Sequence, residues 1–137
     1  VINLIILKSD IAKFARWAKT HFPKEVLCAM IGEKEDGGML EVRYLTKPII
    51  GDKEGVEYSL EQWRIVQEET RSGLSFIGTI HSHPNVPPPV SPSAYDIDNA
   101  SGNEKVYGIC GVWKEEGRLK TKIEFFSGGP ELRVGKI

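Results

Sequence analysis

At 137 residues, with 40% hydrophobic and 27% charged side chains, the chain is long enough to bury one core and ordinary in composition for a globular domain. A formal net charge of −1 excludes a global field that would draw it to nucleic acid or to an anionic membrane. No apolar run approaches the roughly 18 residues of a membrane span, and two cysteines are too few for a disulfide framework.

"VINLIIL" at the start is apolar but short, without a basic flank or a small-residue cleavage site. It reads as a strand over 2–7 rather than a signal peptide, and with the sparse cysteines it favours a cytoplasmic location. Ser9 and Asp10 suit a helix start, and Ile11, Phe14, Ala15, Ala18 and Phe22 follow at helical spacing, so a helix is expected over 10–21, ended by Pro23. "EVLCAMIGE", 25–33, has the length and continuous apolarity of a buried strand. After the "EDGG" turn, "MLEVRYL" alternates Leu40, Val42 and Tyr44 against Glu41 and Arg43, as a half-buried strand does. Residues 48–57 read as a polar loop with two glycines. "SLEQ", 59–62, is a capping box that opens a helix with Leu60, Trp63, Val66 and Thr70 on one face and Gly73 as its stop. "LSFIGTI", 74–80, is a strand running into His81, and 107–113 and 119–126 are two further strands joined by "KEEGR" as a hairpin. The order β-α-β-β-α-β, loop, β-β predicts one α/β domain spanning 1–137, a mixed sheet flanked by helices.

The chemistry concentrates in "TIHSHPNVPPPVSPSAYDID", 79–98. His81 and His83 are two apart, so on a strand both side chains leave the same face with Cα atoms about 7 Å apart. The plain alternative is a strand that ends in two polar residues. Beyond Pro84, a loop with Pro87, Pro88, Pro89 and Pro92 leads to Asp96 and Asp98. Two histidines and one carboxylate leave a fourth tetrahedral position open, the layout of catalytic rather than structural zinc. Ser93 and Asp96 also form the S-x-x-D of a capped helix start, which is compatible with ligation because it would hold Asp96 still. A bound water would need a proton acceptor, and Glu25, at the mouth of the buried strand, is either that group or a solvated strand end.

Taken together, "HSHP", a following S-x-x-D and an upstream glutamate opening an apolar strand resemble the JAMM (MPN-plus) zinc metallopeptidases, in their compact prokaryotic or archaeal form. "HFPKEVLCAMIGE", "VEYSLEQW" and "SFIGTIHSHP" extend the resemblance over nearly the whole chain. It implies an MPN-like, cytidine-deaminase-like sandwich. It further implies one zinc ion per chain on His81, His83 and Asp96, Glu25 as general base and acid, and Ser93 as a donor to the oxyanion. The implied reaction is hydrolysis, by zinc-activated water, of the bond between the C-terminus of a ubiquitin-like modifier and a lysine amine. The implied partner is therefore a ubiquitin-like protein or its conjugates, whose extended tail would run along an edge with "PIIGDKEGV" as a wall. Phage-tail or cell-wall peptides, processing of a sulfur-carrier protein, and a non-catalytic MPN scaffold are the alternatives. The family spacing is H-x-H-x7-S-x-x-D, whereas nine residues, 84–92, separate His83 from Ser93 here. Shifting the serine to Ser91 would put Ala94 at the ligand position, so only Ser93 with Asp96 keeps both groups, with Asp98 as the alternative ligand.

Outside that motif, His21 reads as a surface residue that suits a helix C-terminus. Trp17, Trp63 and Trp113 read as packing anchors, and Gly128-Gly129 as a turn. Cys28 and Cys110 read as buried free thiols, or as a disulfide if their strands are neighbours.

Overall fold

A computed structural model describes residues 1–51, 56, 59–94, 96–97 and 106–137. The elements are β1 (Ile2–Ile6), α1 (Lys8–His21), β2 (Val26–Glu35), β3 (Met39–Leu45), β4 (Ile49–Ile50), α2 (Leu60–Thr70), β5 (Ser75–Pro84), β6 (Val106–Glu115), β7 (Arg118–Ser127) and β8 (Leu132–Lys136). Among the described residues no helix is long and apolar enough to cross a membrane.

Among the described residues, eight strands join one mixed sheet of order β7-β6-β5-β2-β3-β1-β8, with β4 paired to β2. β1 runs parallel to β3 and β8, and β5 runs parallel to β6, while the remaining pairs are antiparallel. β7 and β8 lie at opposite ends of the sheet, yet only residues 128–131 join them. Such a span reaches at most about 18 Å, so the sheet must curl strongly. α1 packs on its inner face against β2, β6 and β7, where Phe14 and Ala18 join Leu4, Ile6, Val26, Cys28, Met30, Ile80 and Cys110 in the main core. α2 covers part of the other face, where Val66 and Trp63 meet Ala29, Ile31, Tyr44 and Phe76. The expected α/β domain with a mixed sheet between helices is therefore what forms.

Several local expectations change. α1 begins at Lys8 with Leu7 as its cap residue and no side-chain cap, so Ser9 and Asp10 lie inside the first turn instead of before it. Leu60 is 88% exposed at the first position of α2, so the packing face of that helix starts at Trp63. A register shift between Ile31 and Gly32 breaks the simple alternation of β3. It turns Leu45 into the main core and leaves Tyr44 on the α2 side, where its hydroxyl donates to Glu69. Part of the expected loop over 48–57 is strand: Ile49 and Ile50 pair with Leu27 and Val26. β8 lies outside the expected elements and pairs in parallel with β1 over five residues.

Other expectations hold. The capping box on Ser59 and Gln62 is complete in both directions. The β6–β7 hairpin closes on Glu116 and Gly117, both at positive φ, the backbone of a two-residue type I′ turn that glycine favours. Cys28 and Cys110 are buried free thiols on strands separated by β5, and burial pushes each thiol up to about 12.

Candidate metal centre

The site is built on β5. Leu27 pairs with His81, and Ala29 pairs with Thr79. Ala29 belongs to the α2-side cluster and Cys28 to the main core, so alternation puts His81, His83, Leu27 and Glu25 on the α2 side of the sheet. Pleating thus makes the two imidazoles neighbours: their ring centroids are 4.7 Å apart and their Nε2 atoms 2.8 Å apart. Glu25, only 8% exposed, stands one residue before β2, and its backbone carbonyl accepts from the amide of Gly51 at 2.9 Å. One carboxylate oxygen of Glu25 and one nitrogen each of His81 and His83 all lie within 4.8 Å of one another. His21 ends α1, on the opposite face of the sheet.

Asp96 arrives from the proline loop. The amide of Ser93 donates to Asp96 Oδ2 at 2.8 Å, and the amide of Asp96 donates back to Ser93 Oγ at 3.1 Å. The S-x-x-D pattern is therefore a reciprocal cap, and it aims the free lone pairs of Asp96 at the histidines. Asp96 Oδ1 is 3.1 Å from His81 Nε2 and Oδ2 is 3.6 Å from His83 Nε2. Burial pushes the Asp96 carboxyl up, but hydrogen bonds from both imidazoles and from the Ser93 amide outweigh it and hold the group far below the usual carboxylate range. The His83 imidazole is raised, chiefly by its hydrogen bond to Asp96 against a smaller opposing effect of burial, with the charges of Asp96 and Glu25 adding to it. Ser93 is exposed, and accepting from the Asp96 amide leaves its O–H free to donate.

These separations fit a metal. Four donors at about 2.0–2.1 Å around a tetrahedral ion are about 3.3 Å apart. The distances of 2.8, 3.1 and 3.6 Å between His81, His83 and Asp96 bracket that edge. Two imidazoles and a carboxylate are also a donor set that zinc favours. The other acidic group among the described residues, Glu33, Glu35 and Glu41, has no nitrogen donor, and Arg43 bridges Glu33 at 2.8 Å and Glu41 at 3.4 Å. Asp98 and most of the "GDKEGV" segment lie outside the described residues.

One contributor was missed by sequence reasoning. Ser82, between the histidines, points to the opposite face, is 1% exposed, and its Oγ accepts from the amide of Val26 at 2.9 Å. It ties the histidine strand to the residue after Glu25. Replacing Ser82 with alanine leaves that buried amide without its acceptor and is expected to cost about 1–3 kcal/mol in denaturant unfolding, with threonine recovering most of it. An unchanged unfolding midpoint in the alanine variant would contradict this role.

Comparison with known proteins places the chain in a family. A family model described as prokaryotic homologs of the JAB domain matches residues 7–124. The chain belongs to the prokaryotic JAB family. The match runs from the start of α1 to β7 and so contains Glu25, both histidines, Ser93 and Asp96. Among curated proteins, none matches the chain. Solved structures share the fold of this chain at low identity. A protein from Salinibacter ruber aligns with a TM-score of 0.61 at 20% identity, covering 100% of this chain and 92% of its own. A JAB1/MPN domain protein from Archaeoglobus fulgidus aligns at 0.52 and 18%, covering 98% of this chain and 100% of its own. A protein from Desulfitobacterium hafniense aligns at 0.53 and 19%, covering 100% and 94%.

Proposed function

We propose that this JAB domain is a zinc-dependent isopeptidase that hydrolyses the bond between the C-terminus of a ubiquitin-like modifier and a lysine amine. The observation that carries the reading is the convergence of His81, His83 and Asp96 at tetrahedral-edge distances with the buried Glu25 beside them. A scaffold has no need to bury a glutamate against two histidines, because desolvating a carboxylate without using it costs stability. His81, His83 and Asp96 would hold one zinc ion. When bound, zinc supplies a Lewis acid that polarises a carbonyl and lowers the pKa of water.

The chain's own groups supply the rest. A Glu25 carboxylate oxygen takes the proton from the attacking water and returns it to the leaving lysine amine. The Ser93 O–H donates to the carbonyl oxygen as negative charge develops there. β4 pairs only with β2 among the described residues, and its end is tied to Glu25 through the amide of Gly51. An extended modifier tail would add to that short edge and run toward the site.

Zinc content and cleavage of an isopeptide-linked ubiquitin-like conjugate, measured before and after chelation, test the proposal. The expected result is about one zinc per chain, with cleavage lost on chelation and restored by zinc. Absence of zinc after reconstitution would sink the metal reading. Zinc without cleavage of any such conjugate would sink the substrate.

A further inference from the structure

The loop that carries Ser93 and Asp96 has a docking site on β6, directly beside the histidines. His81 pairs with Ile109 and His83 with Gly111, so these β6 residues share the histidines' face. Asn85, at φ 60°, turns the chain out of β5, and the amide of Val86 then donates to the carbonyl of Val112 at 3.1 Å. This bond draws the start of the loop across β6. Gly111 permits the approach: a Cβ there would stand 2.4 Å from the carbonyl oxygen of Val86 and 3.0 Å from a methyl of Val90. Val90 is 7% exposed, while Pro87, Pro88 and Pro89 are exposed. It packs on Tyr107 and Ile109, with Phe126 stacked on Tyr107 at 5.6 Å. Three residues later Ser93 begins the reciprocal cap that holds Asp96.

We infer that Gly111 and Val90 are positioning residues for the metal centre: a bare glycine on β6 and a buried valine from the loop together set where Asp96 stands relative to His81 and His83. The inference rests on the zinc reading above. Its physical basis is that nine residues separate His83 from Ser93, and an unanchored span of that length samples many end-to-end separations. Anchoring it at Val86 and Val90 leaves only Ser91 and Pro92 between the last anchor and the cap. Alanine at Gly111 lifts the loop off β6, because a Cβ at 2.4 Å from a backbone oxygen cannot be accommodated by moving a side chain. Alanine at Val90 leaves the backbone path in place and empties the pocket over Tyr107 and Ile109.

The test measures zinc affinity by chelator competition on the full chain, together with the visible absorption of the cobalt-substituted protein, which reports coordination number. Variants are Gly111→Ala, Val90→Ala, Val90→Ile, His83→Ala, and Ile123→Ala as a control. Ile123 lies in the main core on the far side of the sheet and loses more buried volume than Val90 does. Gly111→Ala and Val90→Ala are expected to weaken zinc binding about 10–100-fold, the usual effect of losing a group that orients a ligand. Both should also alter the cobalt spectrum, while Val90→Ile and Ile123→Ala stay near wild type. If Gly111→Ala does not fold, Val90→Ala decides. Wild-type affinity in a folded Val90→Ala, or equal weakening in Ile123→Ala, would overturn the inference and leave the zinc site standing. Equal zinc binding by wild type and His83→Ala would instead remove the zinc reading, and this inference with it.

Discussion

Replacing Glu25 with glutamine is expected to leave zinc stoichiometry unchanged and to slow isopeptide hydrolysis by about 10²–10⁴-fold, the range that general acid–base catalysis supplies. The two side chains have the same shape, so the buried space at the start of β2 stays filled. The hydrogen bond from Gly51 uses the backbone carbonyl and survives. What disappears is an oxygen able to take a proton and give it back. The three proposed ligands, His81, His83 and Asp96, are untouched. Single-turnover cleavage and metal content on the same preparation separate the outcomes. A variant that holds zinc and cleaves within about threefold of wild type would remove Glu25 from the chemistry. A variant that loses zinc would make Glu25 a ligand, which its placement within 4.8 Å of both imidazole nitrogens makes a real contrast.

Why the facing of the histidines and the serine–aspartate cap could be read from sequence while much of what supports them could not is a matter of range. The facing of His81 and His83 follows from the two-residue period of any strand, and the Ser93–Asp96 cap from contacts three residues apart. Both are local, so spacing alone expresses them. Ser82 has meaning only because Val26, 56 residues away, presents an amide to it. Gly111 looks like an ordinary strand glycine until Val86 is laid across it. The fold divides in the same way. Long apolar or alternating runs mark β2, β3, β5, β6 and β7. β8 has no alternation of its own (Leu132 and Gly135 are half-buried, the rest exposed) and exists because β1 offers a free edge. β4 is two residues long and is created by its partner β2. Tyr44 and Leu45 exchange faces because of a register shift that no period predicts.

Asp96→Asn should separate the metal role of this carboxylate from its charge. Asparagine keeps an oxygen for the Ser93 amide but loses the negative charge, and zinc affinity is expected to fall by more than the roughly 10–100-fold typical of losing a group that only orients a ligand. The metal-free protein gives an independent readout. The Asp96 carboxyl sits below its ordinary value of 3.8, so its contribution to stability is present above that value and is lost as pH falls through the depressed one. The His83 imidazole sits above its ordinary value of 6.5, so its contribution is full below 6.5 and is lost as pH rises through the elevated one. The pair therefore stabilises the metal-free fold most between about pH 4 and 6.5. Thermal midpoints of metal-free wild type should decline as pH climbs past that window, and Asp96→Asn should flatten the decline because the largest cause of the His83 shift is gone. Zinc should reverse the trend in wild type, since deprotonated imidazoles are the form that binds it, and stability in excess zinc should rise over the same interval. Parallel midpoint curves for wild type and Asp96→Asn without metal would show that Asp96 is not coupled to His83 in solution. Equal zinc affinities would show that it is not a ligand.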